Sequence, residues 1–347
     1  MATTELLDKL NSTQSLSIEE YKFLIDKFSA ESAAYAAALA VNKRKEVYKN
    51  SVFIRGLIEI SNICKNDCYY CGIRCSNKKA DRYRLSKAQI LSCCDSGYSL
   101  GFRTFVMQGG EDPYFSDDVM CDIVKSIKEK YSDCAVTLSL GERSKESYQK
   151  LFDAGADRYL LRHETADSCH YSRLHPENLT LENRLQCLNN LREIGFQVGC
   201  GFMVGSPYQT SEHLAKDLKF IEAFKPDMCG IGPFIPHKDT PFKDFPAGSA
   251  DLTCYLLSIV RLIHPQVLLP ATTALGTVEG KGRERGILSG ANVVMPNLSP
   301  ESTRAKYELY NNKLSTGAES ANGLEALKKN LSDIGYQIEI SRGDVKK

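Results

Sequence analysis

From Ser51 onward the chain alternates eight short runs rich in β-branched and aliphatic residues with stretches of helical periodicity, and this alternation restricts its fold more than any other feature. The runs are VFIRGLIEI (52–60), RTFVMQ (103–108), AVTLSL (135–140), RYLLR (158–162), FQVGCGFMV (196–204), DMCGIG (227–232), QVLLPA (266–271) and NVVMP (292–296). Helical patterns lie between them at 87–96, 117–130, 145–154, 181–194, 211–224, 252–263 and 283–289. Strands separated by helices pair in parallel, and eight such units predict an α/β fold, a complete (β/α)8 TIM-type barrel. The expected organisation is a helical extension over 1–50, the barrel over 51–300 and a closing extension over 301–347. That last segment carries a helical pattern near 323–334 and a short alternating run, YQIEIS.

Charge narrows the function. With 44 Lys+Arg against 43 Asp+Glu the chain carries a formal net charge of +1, so no bulk field draws it to nucleic acid or an anionic membrane. Its N-terminus, MATTELLDKL, lacks a basic segment followed by an apolar one, and its longest apolar stretches are too short to span a bilayer. These features predict a cytoplasmic protein that binds neither nucleic acid nor membrane. In a chain of this size without an export signal, thirteen cysteines predict reduced thiols rather than a disulfide framework. Cys64, Cys68, Cys71 and Cys75 fall within twelve residues, and none lies beyond Cys254.

Polar and glycine-containing clusters follow every run: CKNDCYYC, QGGED, SLGE, RHET, GSPYQT, GPFIPH, TTALG and MPN. Barrel enzymes build their sites on that face, so the pattern predicts an enzyme. Short loops favour glycine, proline and polar residues in any case, but that explanation leaves the cysteines unaccounted for. Cys64-x3-Cys68-x2-Cys71 puts three thiolates on one loop, which in a 4Fe-4S cubane leaves one iron open to a small molecule. Two other readings are a four-thiolate zinc site recruiting Cys75, although structural zinc sites pair two C-x2-C knuckles, and cysteines without any ligand.

CKNDCYYC resembles the signature of the radical S-adenosylmethionine (SAM) family. The resemblance implies a 4Fe-4S cluster on Cys64, Cys68 and Cys71, with SAM chelated to the open iron through its amino and carboxylate groups. Electron transfer then cleaves the sulfonium and releases a 5′-deoxyadenosyl radical. Across residues 50–310, the blocks IRGLIEISNICKNDCYYCGIR, QGGEDPY, VTLSLGE, GADRYLLRHETA, IGPFIPHKDTP, PATTALGT and GANVVMPN are similar to the FeFe-hydrogenase maturases of that family. Biotin synthase and methylornithine synthase are close relatives of that branch. The resemblance implies anaerobic work on a small iron-carbonyl-cyanide substrate, a precursor of the hydrogenase two-iron subcluster, beside other hydrogenase maturation proteins and an electron donor. It also implies that Tyr70, Gln108, Thr137, Ser139, Arg162, Glu164, Arg184, Tyr307 and Tyr310 hold SAM, while Arg55, Met203, Thr272 and Thr273 line the substrate cavity.

Strand alternation puts Val106 with Gln108, Thr137 with Ser139, and Arg162 with Glu164 on one face, and His163 on the other. Arg162 and Glu164 could equally form a structural ion pair. Arg55 sits in an apolar run where a lone charge is costly, which calls for an anionic ligand or for pairing with Glu59. Gly199 and Gly201 would leave room for a ligand, and Tyr307 with Tyr310 would close the SAM site or simply pack a helix turn. Where biotin synthase holds a second cluster on inner-strand cysteines, this chain has Val106, Thr137 and Gly199, so one cluster and no sulfur insertion are expected. The competing functions are a radical SAM amino-acid mutase such as methylornithine synthase and a non-catalytic four-cysteine zinc protein.

Overall fold

The computed structural model describes residues 2–315, 317 and 320–346. Three helices, Thr3–Thr13, Ile18–Asp26 and Ala30–Tyr48, come first. Ser17 caps the second: its hydroxyl accepts from the Glu20 N–H, and the Glu20 carboxylate accepts from the Ser17 N–H at 2.9 Å.

Six parallel strands then form one sheet in chain order: Gly56–Ser61, Thr104–Gly109, Ala135–Ser139, Arg158–Leu160, Gln197–Cys200 and Met228–Cys229. The register sets Leu57 beside Val106, Val106 beside Thr137, and Gln108 beside Ser139. Helices Lys87–Ser99, Asp117–Lys130, Lys145–Asp153, Leu181–Ile194, Ser211–Phe224 and Ala250–Ile263 lie where the sequence pattern expects them, within a few residues at their ends. Each begins at a Ser or Thr side chain that accepts a backbone N–H: Ser86, Ser116, Ser144, Thr180, Thr210 and Ser249. The outward side chains of the strands, among them Phe105, Met107, Val136, Leu138, Tyr159 and Val198, are buried in one core with Ile123, Val124, Leu188 and Leu218 of these helices.

The remaining runs depart from continuous strands. The fifth breaks at Gly201, whose φ of 152° needs glycine and whose missing Cβ would stand 2.0 Å from the Gly230 carbonyl oxygen. Its upper half, Met203–Val204, pairs with Gly232–Pro233 instead. The seventh run forms only isolated bridges, Met228 to Leu268 and Pro270 to Val293, because Pro270 has no N–H to donate and the chain turns into the helix Thr273–Val278. Val293–Val294 pairs with Phe53–Ile54, so strand neighbours continue from Met228 through 268–270 and back to the first run.

The tail ends with the helix Leu324–Asp333 and the strand Gln337–Glu339, which joins Ser51–Phe53 in parallel. Beneath the strand starts, Arg158 donates to Asp344 at 2.5 Å and to the Arg342 carbonyl at 2.7 Å. Among the described residues no helix is long and apolar enough to cross a membrane.

Five of the six histidines have ring pKa values pushed down by burial: His163 and His175 to about 3, His170 and His264 to about 4, and His237 in the same direction. An unfolded chain takes up these protons near pH 6.5, so below that value it binds more protons than the folded one and stability falls as pH falls. Asp217, whose pKa burial raises, opposes this, as one group against five. The melting midpoint of the iron-free protein should therefore drop steadily between pH 7 and pH 5; a constant or rising midpoint over that range would refute it.

Candidate active site

At the carboxyl ends of the strands lies a cavity of about 270 Å³. Cys64, Cys68, Tyr70 and Cys71 face it from the loop after the first strand, Gln108 and Ser139 from the next two strands, and Arg162 and Glu164 from the loop after the fourth. Arg184, Met203, Thr272, Tyr307 and Tyr310 complete this part of its lining. Arg55 and Thr137 do not reach it: with Val106 and Met228 they line a separate hollow of about 20 Å³ one layer deeper. Leu160 lines both, so the two spaces are stacked along one axis.

The cysteine loop has little secondary structure and is held by polar side chains. Arg82 donates to the carbonyls of Asn62, Ile73, Arg74 and Asn77, and Asn62 donates to the Asp81 and Lys306 carbonyls at 2.9 and 2.7 Å. Gly110 presses on it from the next loop, since a Cβ there would stand 2.3 Å from the Ile63 carbonyl oxygen and 2.8 Å from the Cys64 Cβ. Burial and then neighbouring thiolates push Cys68 well above the ordinary thiol range and Cys71 up to about 12, and burial raises Cys64 as well. Such thiols ionise only when a cation is supplied. No three His, Cys, Asp or Glu side chains converge on one point among the described residues, as a single ion would require, whereas a cubane takes each thiolate on a different iron. Cys75 is exposed and outside the lining, which leaves three thiols facing the cavity, the number that fits a cluster with one open iron.

Strand alternation does not orient Arg162 and Glu164, because the strand ends at Leu160. Glu164 has a left-handed φ of 65°, held by its N–H to the Gly201 carbonyl at 3.0 Å and by the Ala166 N–H to Asp217 at 2.5 Å. His163 faces away from the cavity. Its Nδ1 accepts the Gly201 N–H at 3.3 Å, which puts its proton on Nε2, 3.4 Å from Asp217.

Arg162 Nη2 lies 3.0 Å from Glu164 Oε2, and Arg184 Nε lies 2.7 Å from Glu142 Oε1. Both pairs are within ion-pair distance yet misaligned for hydrogen bonding, so four buried polar atoms keep their bonding directions unused. Thr272 Oγ1 is likewise buried without a partner. Free carboxylate and guanidinium directions on one wall fit a zwitterionic ligand, ammonium to Glu and carboxylate to Arg. His175 Nδ1 donates to the Tyr171 carbonyl at 3.0 Å, so its Nε2 accepts the Tyr70 hydroxyl at 3.2 Å and fixes that ring on the wall.

Four expectations change. Thr273 opens a helix and is not among the cavity-lining residues. Thr137 belongs to the deeper hollow. Arg55 does not pair with Glu59: it donates to Met228 Sδ at 2.9 Å and to the Gly343 carbonyl at 3.4 Å, while Glu59 is engaged by Lys313 and Asn297. Gly199 leaves no ligand space, since its missing Cβ would stand 2.6 Å from Leu160 Cδ1, and Gly201 serves backbone packing. Sequence reasoning passed over Glu111 and Glu142, although QGGED and SLGE contain them, and it gave no role to Arg82 or Asp217.

The sequence profile of the Radical SAM superfamily matches residues 58–221. The chain is 46% identical over 276 residues, 80% of its length and 78% of the relative's, to the FeFe hydrogenase maturase subunit HydE of Thermotoga maritima. It is 27% identical over 342 residues, 97% of its length and 95% of the relative's, to the 3-methylornithine synthase of Methanosarcina acetivorans. The crystal structure of methylornithine synthase (PylB) superposes with a TM-score of 0.84 at 25% identity, covering 96% of this chain and 97% of that one.

Gly110→Ala should displace the Cys64 backbone while leaving the sheet intact. Reconstituted iron should fall to less than about half of the roughly four atoms a cubane holds, with an unchanged far-ultraviolet circular dichroism spectrum. Full iron uptake by this variant would mean that the loop yields without losing its geometry.

Proposed function

This chain belongs to the HydE family of FeFe-hydrogenase maturases within the radical SAM superfamily, and from that premise we propose how its own residues carry out the reaction. It is a radical SAM enzyme that uses a 4Fe-4S cluster and SAM and acts in hydrogenase maturation. The observation that carries the assignment of residues is the three-thiol loop facing the same cavity as Arg162, Glu164 and Arg184, whose ion-pair contacts are misaligned for hydrogen bonding. When bound, the cluster and SAM supply a 5′-deoxyadenosyl radical by one-electron cleavage of the sulfonium.

Cys64, Cys68 and Cys71 would hold the cluster through their thiolates. Glu164 would take the SAM ammonium, and Arg162 and Arg184 would take its carboxylate. Gln108, Ser139, Tyr70, Tyr307 and Tyr310 line the same cavity and would wall the remainder of the cofactor and keep water from it. Met203 and Thr272 of the same cavity would meet a small iron-carbonyl-cyanide substrate, with the Thr272 hydroxyl offering a hydrogen bond to cyanide nitrogen, whereas Arg55 and Thr137 lie in the separate hollow of about 20 Å³, too small to admit such a complex. Thr273 has no part in this reading. We read the bridges at Leu268 and Pro270 as completing a (β/α)8 barrel around that axis, a reading supported by the return of Val293–Val294 to Phe53–Ile54. The maturation proteins that hand over the substrate are expected to dock at the mouth.

Anaerobic reconstitution with SAM, reductant and either an iron-carbonyl-cyanide precursor or a free amino acid tests the substrate class. Release of 5′-deoxyadenosine should depend on the iron precursor; dependence on the amino acid would assign a mutase.

Cys64→Ala, Cys68→Ala and Cys71→Ala should each abolish SAM cleavage, and Cys75→Ala should not. Equal loss in all four variants would revive a four-thiolate site. Glu164→Gln should keep its iron and bind SAM at least about tenfold more weakly, since a hydrogen bond to a charged group contributes roughly 1.5–3 kcal/mol. SAM titration followed through the reduced cluster's paramagnetic resonance measures this, and unchanged affinity would leave Glu164 a structural ion-pair residue.

A further inference from the structure

Outside the barrel axis, two adjoining hollows of about 490 and 550 Å³ lie on the far side of the cysteine loop. Gly72 and Ile73 line the first, and Lys79, Lys238 and Asp239 belong to both. Gly72 is the peptide neighbour of Cys71, which faces the central cavity, so a single residue separates an open surface from a cluster thiol. That wall is tight. Gly72 donates to the Leu309 carbonyl at 2.8 Å, its carbonyl accepts from Asn77 at 2.7 Å, and a Cβ on it would stand 2.2 Å from the Glu308 carbonyl oxygen and 2.5 Å from the His237 ring.

The charge around this opening is unbalanced in a chain whose formal net charge is only +1. Asp239 is 12% exposed and is matched by Lys79, which is 80% exposed, and Asp81 is matched by Lys306. Lys78, Lys238 and Lys243 are exposed on the same rim and make no salt bridge among the described residues, leaving Glu308 as the one exposed carboxylate of the lining without one. Surface cations so placed raise the encounter rate of an anionic partner more than they raise its affinity.

We propose that this lysine-rimmed opening beside Gly72 is the docking surface for an acidic one-electron carrier protein. The proposal rests on the cluster assignment made above. Electron transfer falls steeply with distance, and the opposite side of the thiols is the side where the ligand binds, so this face offers the short route. One electron leaves the reduced carrier and enters the oxidised cluster; the carrier is oxidised by one equivalent, and no proton or group moves.

The test uses the reconstituted full chain with reduced flavodoxin as the acidic probe, and the triple variant Lys78→Glu/Lys238→Glu/Lys243→Glu. At low salt, the rate of cluster reduction by flavodoxin, read from visible bleaching, should fall at least about tenfold, and calorimetric binding of oxidised flavodoxin should weaken in parallel. Reduction by dithionite should be unchanged, and the difference should vanish near 1 M salt, where charges are screened beyond about 3 Å. A control variant, Lys49→Glu/Lys125→Glu, reverses two exposed charges elsewhere and should behave as wild type. Equal flavodoxin rates in the triple variant and wild type would overturn the docking surface while dithionite reduction still upheld the cluster. Equal loss in the control would reduce the effect to bulk charge and overturn it too. Failure of dithionite to reduce wild type would instead strike the cluster assignment itself.

Discussion

The guanidinium of Arg82, inside the loop it organises, satisfies four backbone carbonyls of a segment with almost no ladder of its own. Without it, the Asn62, Ile73, Arg74 and Asn77 carbonyls would be left to compete for water, at the desolvation cost of any unpaired backbone group. Everything at the mouth depends on that knot. It gives Cys64, Cys68 and Cys71 a common direction, it lets Gly110 press against Cys64, and it carries Gly72 to the outer surface as a thin wall. A long irregular loop is rare in a compact domain unless it is functional, and the polar backbone of this one is answered by side chains rather than by secondary structure.

The helices were legible because each carries its own start signal, a Ser or Thr whose side chain accepts an early N–H, ahead of a face that reaches the common core. The strands were legible as runs but not as ladders, since pairing depends on a partner that no local pattern shows. Pro270 and Gly201 break two runs for backbone reasons visible only once Val293 and Gly230 are beside them. The short helices Ser168–Leu174 and Thr273–Val278 span seven and six residues, too few for a periodicity to declare itself, and the second removes Thr273 from the cavity.

Within the site, alternation along a strand works where a strand exists. It puts Val106, Gln108, Thr137 and Ser139 on one face, because they lie on regular ladders, while the two-residue step along the strand, which alternation does not address, sets Gln108 and Ser139 at the upper cavity and Val106 and Thr137 at the deeper hollow. It has no authority over Arg162 and Glu164. Their shared direction comes from a turn with Glu164 at positive φ, braced by Asp217 from the helix Ser211–Phe224, a contact across many residues that no window of sequence contains. The same is true of Arg184 and Glu142, brought together from separate elements at 2.7 Å.

Arg55 shows how far such a long-range partner can govern a charge. Burial pushes its pKa well down, Arg158 pushes in the same direction, and Asp344 of the tail opposes both. Glu59, the carboxylate nearest in sequence, is spent on Lys313 and Asn297 toward the mouth. The tail therefore does more than cover the strand starts. Its Asp344 binds Arg158 and Gln197, its Gly343 carbonyl accepts from Arg55, and together they offset part of the desolvation of two buried guanidinium groups beneath an apolar waist of Val106, Leu160 and Val293. Above that waist stand Arg162, Arg184, Glu142 and Glu164. Between the two charged layers there is little to solvate an ion, and the lower one opens only on a hollow of about 20 Å³, so a small anionic ligand on this axis is held at the upper layer. The strand register that sets Val106 beside Thr137 and Gln108 beside Ser139 keeps each layer level across neighbouring strands, which makes the sheet itself the ruler for the distance between them.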